Sequence, residues 1–348
     1  MNRLLSEDVL VERLKERFST RRRDVLLGIG DDAALVRVGA ETAALSTDVL
    51  VAGEDFLPGT DFFRLGRKAI NVNLSDLAAM GVTPLHALLT LGLPRGTDPV
   101  WLDLLLDGVK SAATDFGLAV VGGDLSASET LFISVSVVGR PGKKGALPRS
   151  GAKAGDLLFV SGTLGAAAAG LKLLQAGYRL LPDGGVRSPA GRRLTAARAP
   201  DVGRLIRHQL NPRPMVELGR ALADGALATA AIDVSDGLAR DLHRLCRASA
   251  AGASVDLGAL PVDSALPSVA KELASDPLSL ALHGGEDFGL LFTVPPHKVA
   301  SVERLASRFA LRRIGIVDNT SLVRVNRNNQ STPLPDAGFD HFASPGKR

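Results

Sequence analysis

The feature that most constrains this chain is a repeated delivery of carboxylates. At five places an apolar, strand-like run passes through small residues and ends on acid. The runs are VLLGIG before Asp31-Asp32, AALST before Asp48, LAVVGG before Asp124, ATAAI before Asp233 (with Asp236 just beyond), and LALHGG before Glu286-Asp287. A further acid, Asp76 in INVNLSDLAAMG, lies within a helical pattern three residues after Asn73. Taken singly, each reads as a turn, because Asp and Gly are turn formers. Repetition changes the reading. An acid at a strand end beside a glycine turn is expected at the rim of a sheet, where open α/β architectures bind ligands. Carboxylates gathered there repel one another unless cations neutralise them. Hard oxygen donors without His or Cys partners favour magnesium, with phosphate oxygens completing its shell.

The rest of the chain alternates strands and helices, which predicts an α/β fold with mixed α+β character. Leu10, Leu14 and Phe18 give helical spacing over 6–18, and helices are expected over 62–80, stopped by Gly81 and Pro84, and over 100–116. Strands are expected at 43–45, 85–91, 118–121 and 131–138. The stretch RPGKKGALPRSGAKAGD (140–156), rich in Gly, Pro and basic residues, marks a boundary between domains 1–148 and 149–348. Beyond it the pattern predicts strands at 157–160, 229–232, 280–283, 288–294 and 312–317, with helices after Gly165 and over 237–250. The polar, Arg-rich segment 178–200 reads as a surface excursion, disordered or folded over the site as a lid.

Composition excludes several function classes. A net charge of +4 is too slight to argue for nucleic acid, and 4% aromatics leaves little with which to stack bases. The single cysteine, Cys246, rules out an intrachain disulfide and any Cys-based metal cluster, and reads as a small core residue. The opening MNRLLSEDVLVERLKERF lacks an apolar signal core, and no apolar run approaches the ~20 residues of a membrane span. A cytoplasmic protein is therefore expected. The 37 glycines, without low complexity, suggest tight turns where backbone approaches a ligand. Two near-motifs fail. Gly28-Ile29-Gly30-Asp31-Asp32-Ala33 resembles a dinucleotide loop, yet its two aspartates would repel a pyrophosphate. Gly165-AAAA-Gly170-Leu171-Lys172 puts leucine where a P-loop needs lysine, and its small residues serve close helix packing instead.

Seven segments occur together in order: GIGDDAA (28–34), STD (46–48), VNLSDLAAMG (72–81), GGD (122–124), RSGAKAGD (149–156), IDVSDGL (232–238) and GGEDF (284–288). In this they resemble the bacterial thiamine-monophosphate kinases, within the ATP-binding superfamily typified by aminoimidazole ribonucleotide synthetase. The resemblance implies a two-domain aminoimidazole ribonucleotide synthetase-like fold that dimerises through N-terminal strands, here 85–92 and 131–139. It implies phosphorylation of thiamine monophosphate by ATP to thiamine diphosphate, with several magnesium ions. Carried over by motif, the metal ligands would be Asp32, Ser46, Thr47, Asp48, Asp76, Asp124, Asp233 and Asp236. ATP would contact Gly123, Asp124, Arg149 and Ser235, and the catalytic set would be Asp124, Arg149 and Asp236. Glu286 would face the thiamine substrate, with Asp55 and Asp336 at the remaining substrate positions.

Elementary chemistry agrees with such a reaction. A phosphate acceptor is already anionic near neutral pH, so it needs no histidine base. The obstacle is repulsion between two polyanions, which magnesium and the fixed cation of Arg149 would offset. Departures from the family pattern concentrate in the acceptor half. Asp55 stands where the family commonly has histidine, Asp336 where it has an aromatic, and Gly289 where glutamate is frequent. Two alternatives follow: an enzyme of the same superfamily with another acceptor, or a non-catalytic nucleotide-binding sensor. Selenophosphate synthesis is disfavoured by the lack of an N-terminal cysteine, and hydrogenase maturation by the absence of a C-terminal one.

Overall fold

The computed structural model describes residues 6–328 and 330–342. The chain divides into two compact units, one of 6–148, Pro214–Ala226 and 340–342, the other of Arg149–Arg213 and Leu227–Phe339. The first unit therefore includes a segment borrowed from the C-terminal half, which two consecutive domains would not contain.

In the first unit, helix α1 (Glu7–Phe18) has no buried residue. Strands β1 (Val25–Leu27), β2 (Ala34–Val38) and β3 (Glu41–Val51) form an antiparallel meander. Helix α2 (Phe62–Ala79), strand β4 (Thr83–Leu93), helix α3 (Pro99–Asp115), and strands β5 (Ala119–Ala127) and β6 (Phe132–Arg140) complete the unit's main body. The sheet order is β1-β2-β3-β6-β4-β5, with β4 and β5 parallel and the other pairs antiparallel. Asp61 caps α2 by accepting from the Arg64 amide at 2.8 Å, and Asp98 caps α3 by accepting from Val100 at 2.8 Å, with Pro99 at its first position. Helix α2 packs on β3 and β6 and buries Leu65, Ile70, Leu74 and Leu77. That packing carries Asn73 and Asp76 toward the sheet.

The second unit contains strand β7 (Leu157–Ser161), helix α4 (Ala166–Gln175), the short hairpin β8 (Arg179–Leu180) and β9 (Val186–Arg187), and helix α5 (Ala199–Leu210). Helix α6 (Val216–Asp224) belongs to the first unit, where it packs on α2. Strand β10 (Ala230–Asp233), helix α7 (Leu238–Ala248), strand β11 (Gly252–Asp256), helices α8 (Leu266–Ala270) and α9 (Pro277–His283), and strand β12 (Leu290–Val294) follow. Helices α10 (Val299–Glu303) and α11 (Ala306–Phe309) then lead to strands β13 (Leu311–Asp318), β14 (Val323–Arg327) and β15 (Gln330–Pro333). The sheet order is β10-β12-β7-β13-β11-β14-β15, antiparallel except for β11 with β14. Its core gathers Leu158, Val160, Ile232, Leu242, Leu245, Leu291 and Ile314, and Cys246 is buried within it.

Three sequence expectations need correction. Residues 280–283 form the end of helix α9 rather than a strand. The alternation in LSLALH permits either state, but the Asp276 carboxylate accepts from the Ser279 amide at 2.8 Å and Pro277 opens the first turn. Asp48 and Asp124 lie within β3 and β5 rather than at strand ends, because the Ser-Thr and Gly-Gly before them remain in the ladder. The segment 178–200 is tied down: the buried Tyr178 hydroxyl donates to Glu272, whose carboxylate also receives Arg198. Among the described residues no helix is long and apolar enough to cross a membrane.

Candidate active site

In the first unit, the Asp32 and Asp76 carboxylates lie within 4.8 Å of one another. Asp32 is buried, at 8% exposure, so solvent cannot dilute this proximity from its side. The Ser46 hydroxyl lies 3.2 Å from the Asp32 carbonyl oxygen and donates to the Asp76 carboxylate at 2.5 Å. Three oxygen-bearing side chains from a loop, a strand and a helix thus converge. Buried Asn73 makes the convergence possible, since its Oδ1 accepts from the Asp48 amide at 2.9 Å and its Nδ2 donates to the Ala69 carbonyl at 2.9 Å. One side chain therefore fixes the register of α2 against β3. The donors are all hard oxygens of closely spaced groups, which fits a magnesium ion.

The Thr47 side chain lies on the other face of β3 from that of Ser46. Adjacent side chains on a strand point to opposite faces, and the Thr47 hydroxyl is engaged with the Val135 carbonyl at 3.1 Å and Ser136 at 3.0 Å on β6. Its side chain therefore does not join Ser46. Asp48 and Asp124 are exposed on their strands. Gly123 is required before Asp124: with φ +153, a Cβ there would fall 1.7 Å from the Leu89 carbonyl oxygen on β4. The Asp55 carboxylate accepts from the Val51 amide at 2.7 Å, closing the turn after β3, and its other oxygen lies 3.9 Å from His341 Nδ1. The anion at this position is thus occupied by a turn and faced by an imidazole.

In the second unit, buried Asp233 ends β10, and the Ser235 hydroxyl donates to it at 3.2 Å. Asp236 pairs with Arg244, and its amide donates to Asp241 at 3.1 Å. Asp241 is fully buried; burial first, then the charges of Asp236 and Asp233, hold its carboxyl well above the usual range. Asp241 and Arg244 escaped the sequence reading. Their only signal is an acid in the first turn of α7 with arginine three residues on, a spacing common to surface ion pairs. Arg149 opens this unit, and its carbonyl accepts from the Ser249 hydroxyl at 3.4 Å. The GGEDF loop is clamped on both sides. The Glu286 amide donates to Ser235 at 2.7 Å and that of Phe288 to Val234 at 2.8 Å, with both residues at positive φ, 65° and 48°. Such left-handed backbone at non-glycine residues persists only where surroundings enforce it. Asp287 packs against the N-terminus of α4, accepting from Gly165 at 2.7 Å and Ala167 at 3.2 Å; desolvation nonetheless pushes its carboxyl up to about 7. Asp336 forms an ion pair with Arg247 at 2.6 Å, and so already has a cation partner. The aromatic beside the loop is Phe339, whose amide donates to the Asp236 carbonyl at 2.9 Å and whose Cβ would lie 3.7 Å from a Cβ on Gly285.

Residues 30–140 match the AIR synthase related protein, N-terminal domain, and residues 153–327 the C-terminal domain of the same family. The thiamine-monophosphate kinase of Escherichia coli (strain K12) is 40% identical over 347 residues, covering 97% of this chain and 98% of that protein. Among solved structures, AaThiL complexed with AMPPCP and TMP superposes with a TM-score of 0.82 at 31% identity, covering 97% of each chain. The thiamine-monophosphate kinase from Stenotrophomonas maltophilia K279a gives 0.73 at 37% identity, covering 92% of this chain and 97% of that one. With both halves matched and the identity spread over nearly the whole length, this chain belongs to the AIR synthase related proteins and, within them, to the thiamine-monophosphate kinase family.

Proposed function

We propose that the protein transfers the γ-phosphoryl group of ATP directly to the phosphate of thiamine monophosphate, giving thiamine diphosphate and ADP. The observation that carries this is the 40% identity to a thiamine-monophosphate kinase across 97% of the chain, which leaves neither domain unmatched. The site chemistry supports it. Asp32, Ser46 and Asp76 offer a compact set of hard donors, and Asp48, Asp124, Asp233 and Asp236 are the further magnesium ligands implied by motif. Magnesium held there would neutralise phosphate charge and orient the transferring group. Thr47 is left out of that set because its hydroxyl is used on β6.

The chain's own residues then have separable tasks. Asn73 holds β3 and α2 in register so that Ser46 and Asp76 meet. Gly123 lets the backbone run close to β4, leaving Asp124 exposed toward ATP. Arg149 and Ser235 bind the nucleotide, and Arg149 supplies a fixed cation for the phosphates. Arg244 holds Asp236 in place. Glu286 faces the acceptor, whose phosphate oxygen attacks in line without a side-chain base, since it is ionised at working pH. Asp55 acts from its turn by facing His341 rather than by touching the acceptor, and Asp336 by its pair with Arg247.

The protein acts in the cytoplasm as a homodimer, assembled through the strand pair 85–92 and 131–139 together with β5. Strand β5 is a sheet edge exposed along its whole length, with Val121 at 62% and Leu125 at 72% exposure. An apolar edge of this kind invites pairing with a second copy. The assignment is tested by incubating the protein with ATP, thiamine monophosphate and magnesium, and following thiamine diphosphate and ADP. Equal amounts of the two products are expected, with none when magnesium is chelated. Absence of thiamine diphosphate under saturating conditions would overturn it.

A further inference from the structure

The GGEDF loop has a support that the proposed reaction does not use. Helix α4 serves it twice. Its N-terminal amides hold Asp287, which fixes the loop backbone beside Glu286. Its Gly170 lets α5 approach: a Cβ there would fall 2.2 Å from the Leu205 carbonyl oxygen and 3.0 Å from the Gln209 Cβ. The approach places Gln209, near the end of α5, against the loop, where its Nε2 donates to the Glu286 carboxylate. Gln209 is 4% exposed, and its Oε1 has no partner among the described residues. The amide orientation follows from chemistry, because a flipped group would set its oxygen against the carboxylate. Glu286 thus has its backbone fixed by the clamps on either side and its side chain held by Gln209. Beside the carboxylate sits a second buried acceptor that lacks a donor, and a buried acceptor without one is costly. The two together suit a ligand that brings N–H.

We infer that Gln209 is a positioning residue that fixes Glu286 toward the acceptor, and that this pair selects acceptors whose heterocycle carries an exocyclic amino group, with two N–H donors for the two acceptors. The inference rests on thiamine monophosphate being the acceptor, whose aminopyrimidine supplies such a group. Neither Gln209 nor the Glu286 side chain is among the residues assigned to ATP, so the signature is expected with one substrate.

The test uses the full-length protein with Gln209→Met, which keeps the volume and removes the amide. KM for thiamine monophosphate is expected to rise about tenfold with KM for ATP unchanged and the melting temperature within a few degrees. Oxythiamine monophosphate, in which oxygen replaces the pyrimidine amino group, provides the second arm. Wild type should prefer thiamine monophosphate at least tenfold in kcat/KM, and Gln209→Met should lose most of that preference. Gln209→Asn, which keeps an amide but withdraws it by one methylene, should behave as Gln209→Met does, and serves if the latter fails to fold. The double variant Gln209→Met/Glu286→Ala should be no worse than Glu286→Ala alone, because the two act as a unit. If wild type makes thiamine diphosphate while the Gln209 variants retain wild-type KM and preference, or raise both KM values alike, the inference is wrong and the kinase reading stands. If wild type makes none, the kinase reading itself has failed.

Discussion

Replacing Asp76 by asparagine exposes the electrostatics of the first unit's site most directly. Its carboxylate and that of Asp32 lie within 4.8 Å. At an effective dielectric of about 20, two unit charges so spaced repel by about 3 kcal/mol, and solvent screening at the half-buried Asp76 lowers this to about 1–3 kcal/mol. The asparagine side chain would keep an acceptor for the Ser46 hydroxyl, which bonds the present carboxylate, so the substitution removes charge with little loss of hydrogen bonding. The metal-free variant should therefore melt a few degrees above wild type, since ~1 kcal/mol is worth about 2–4 °C in a protein of this scale. Magnesium should reverse the order. A ligand at a hundred times its Kd stabilises by about 2.7 kcal/mol, and a site short of one charge should lose much of that gain. The assay is thermal unfolding of both proteins in EDTA and in millimolar magnesium chloride. Thiamine diphosphate synthesis by the variant should fall at least ~100-fold. A variant that melts below wild type in EDTA, or that keeps the full magnesium shift, would refute the reasoning.

Asp124→Asn should likewise cost at least ~100-fold in turnover, because charge positioning is nearly all of phosphoryl-transfer catalysis, while the fold, with residue 124 exposed on β5, should be unaffected by calorimetry. Asp287 gives a pH dependence with a definite sign. Its folded carboxyl titrates at about 7 against 3.8 unfolded, so the folded state holds the proton longer, and the associated stability is full below about pH 4 and lost as pH rises toward 7. Wild-type stability relative to Asp287→Asn should fall across that window by up to ~4 kcal/mol, measured by urea unfolding at several pH values; a difference that stays flat would place the carboxylate ionised against the α4 amides throughout. Asp55→Ala removes the acceptor of the Val51 amide and should destabilise by about 1 kcal/mol, read as a lowered urea midpoint with unchanged slope.

Local chemistry made much of this protein legible in its residues. The limits of α2 and α3 follow from Asp61, Asp98 and Pro99 at their starts and Gly81 after α2, because caps satisfy orphan amides without reference to distant chain. The seven ordered motifs likewise pointed to the family, since each encodes a backbone shape and a charge at short range. Tertiary structure decided what depends on partners far away. The alternating LSLALH became helix α9 once Asp276 and Pro277 set its first turn. The Thr47 hydroxyl was taken up by β6, which comes from residues nearly ninety positions on. Asp241, Arg244 and Gln209 carry no local mark of function, because a carboxylate, guanidinium or amide gains its role only from what packs against it. Gln209 meets Glu286 because Gly170 admits α5 to α4 and α4 in turn grips Asp287, a relation between three segments that no periodicity records.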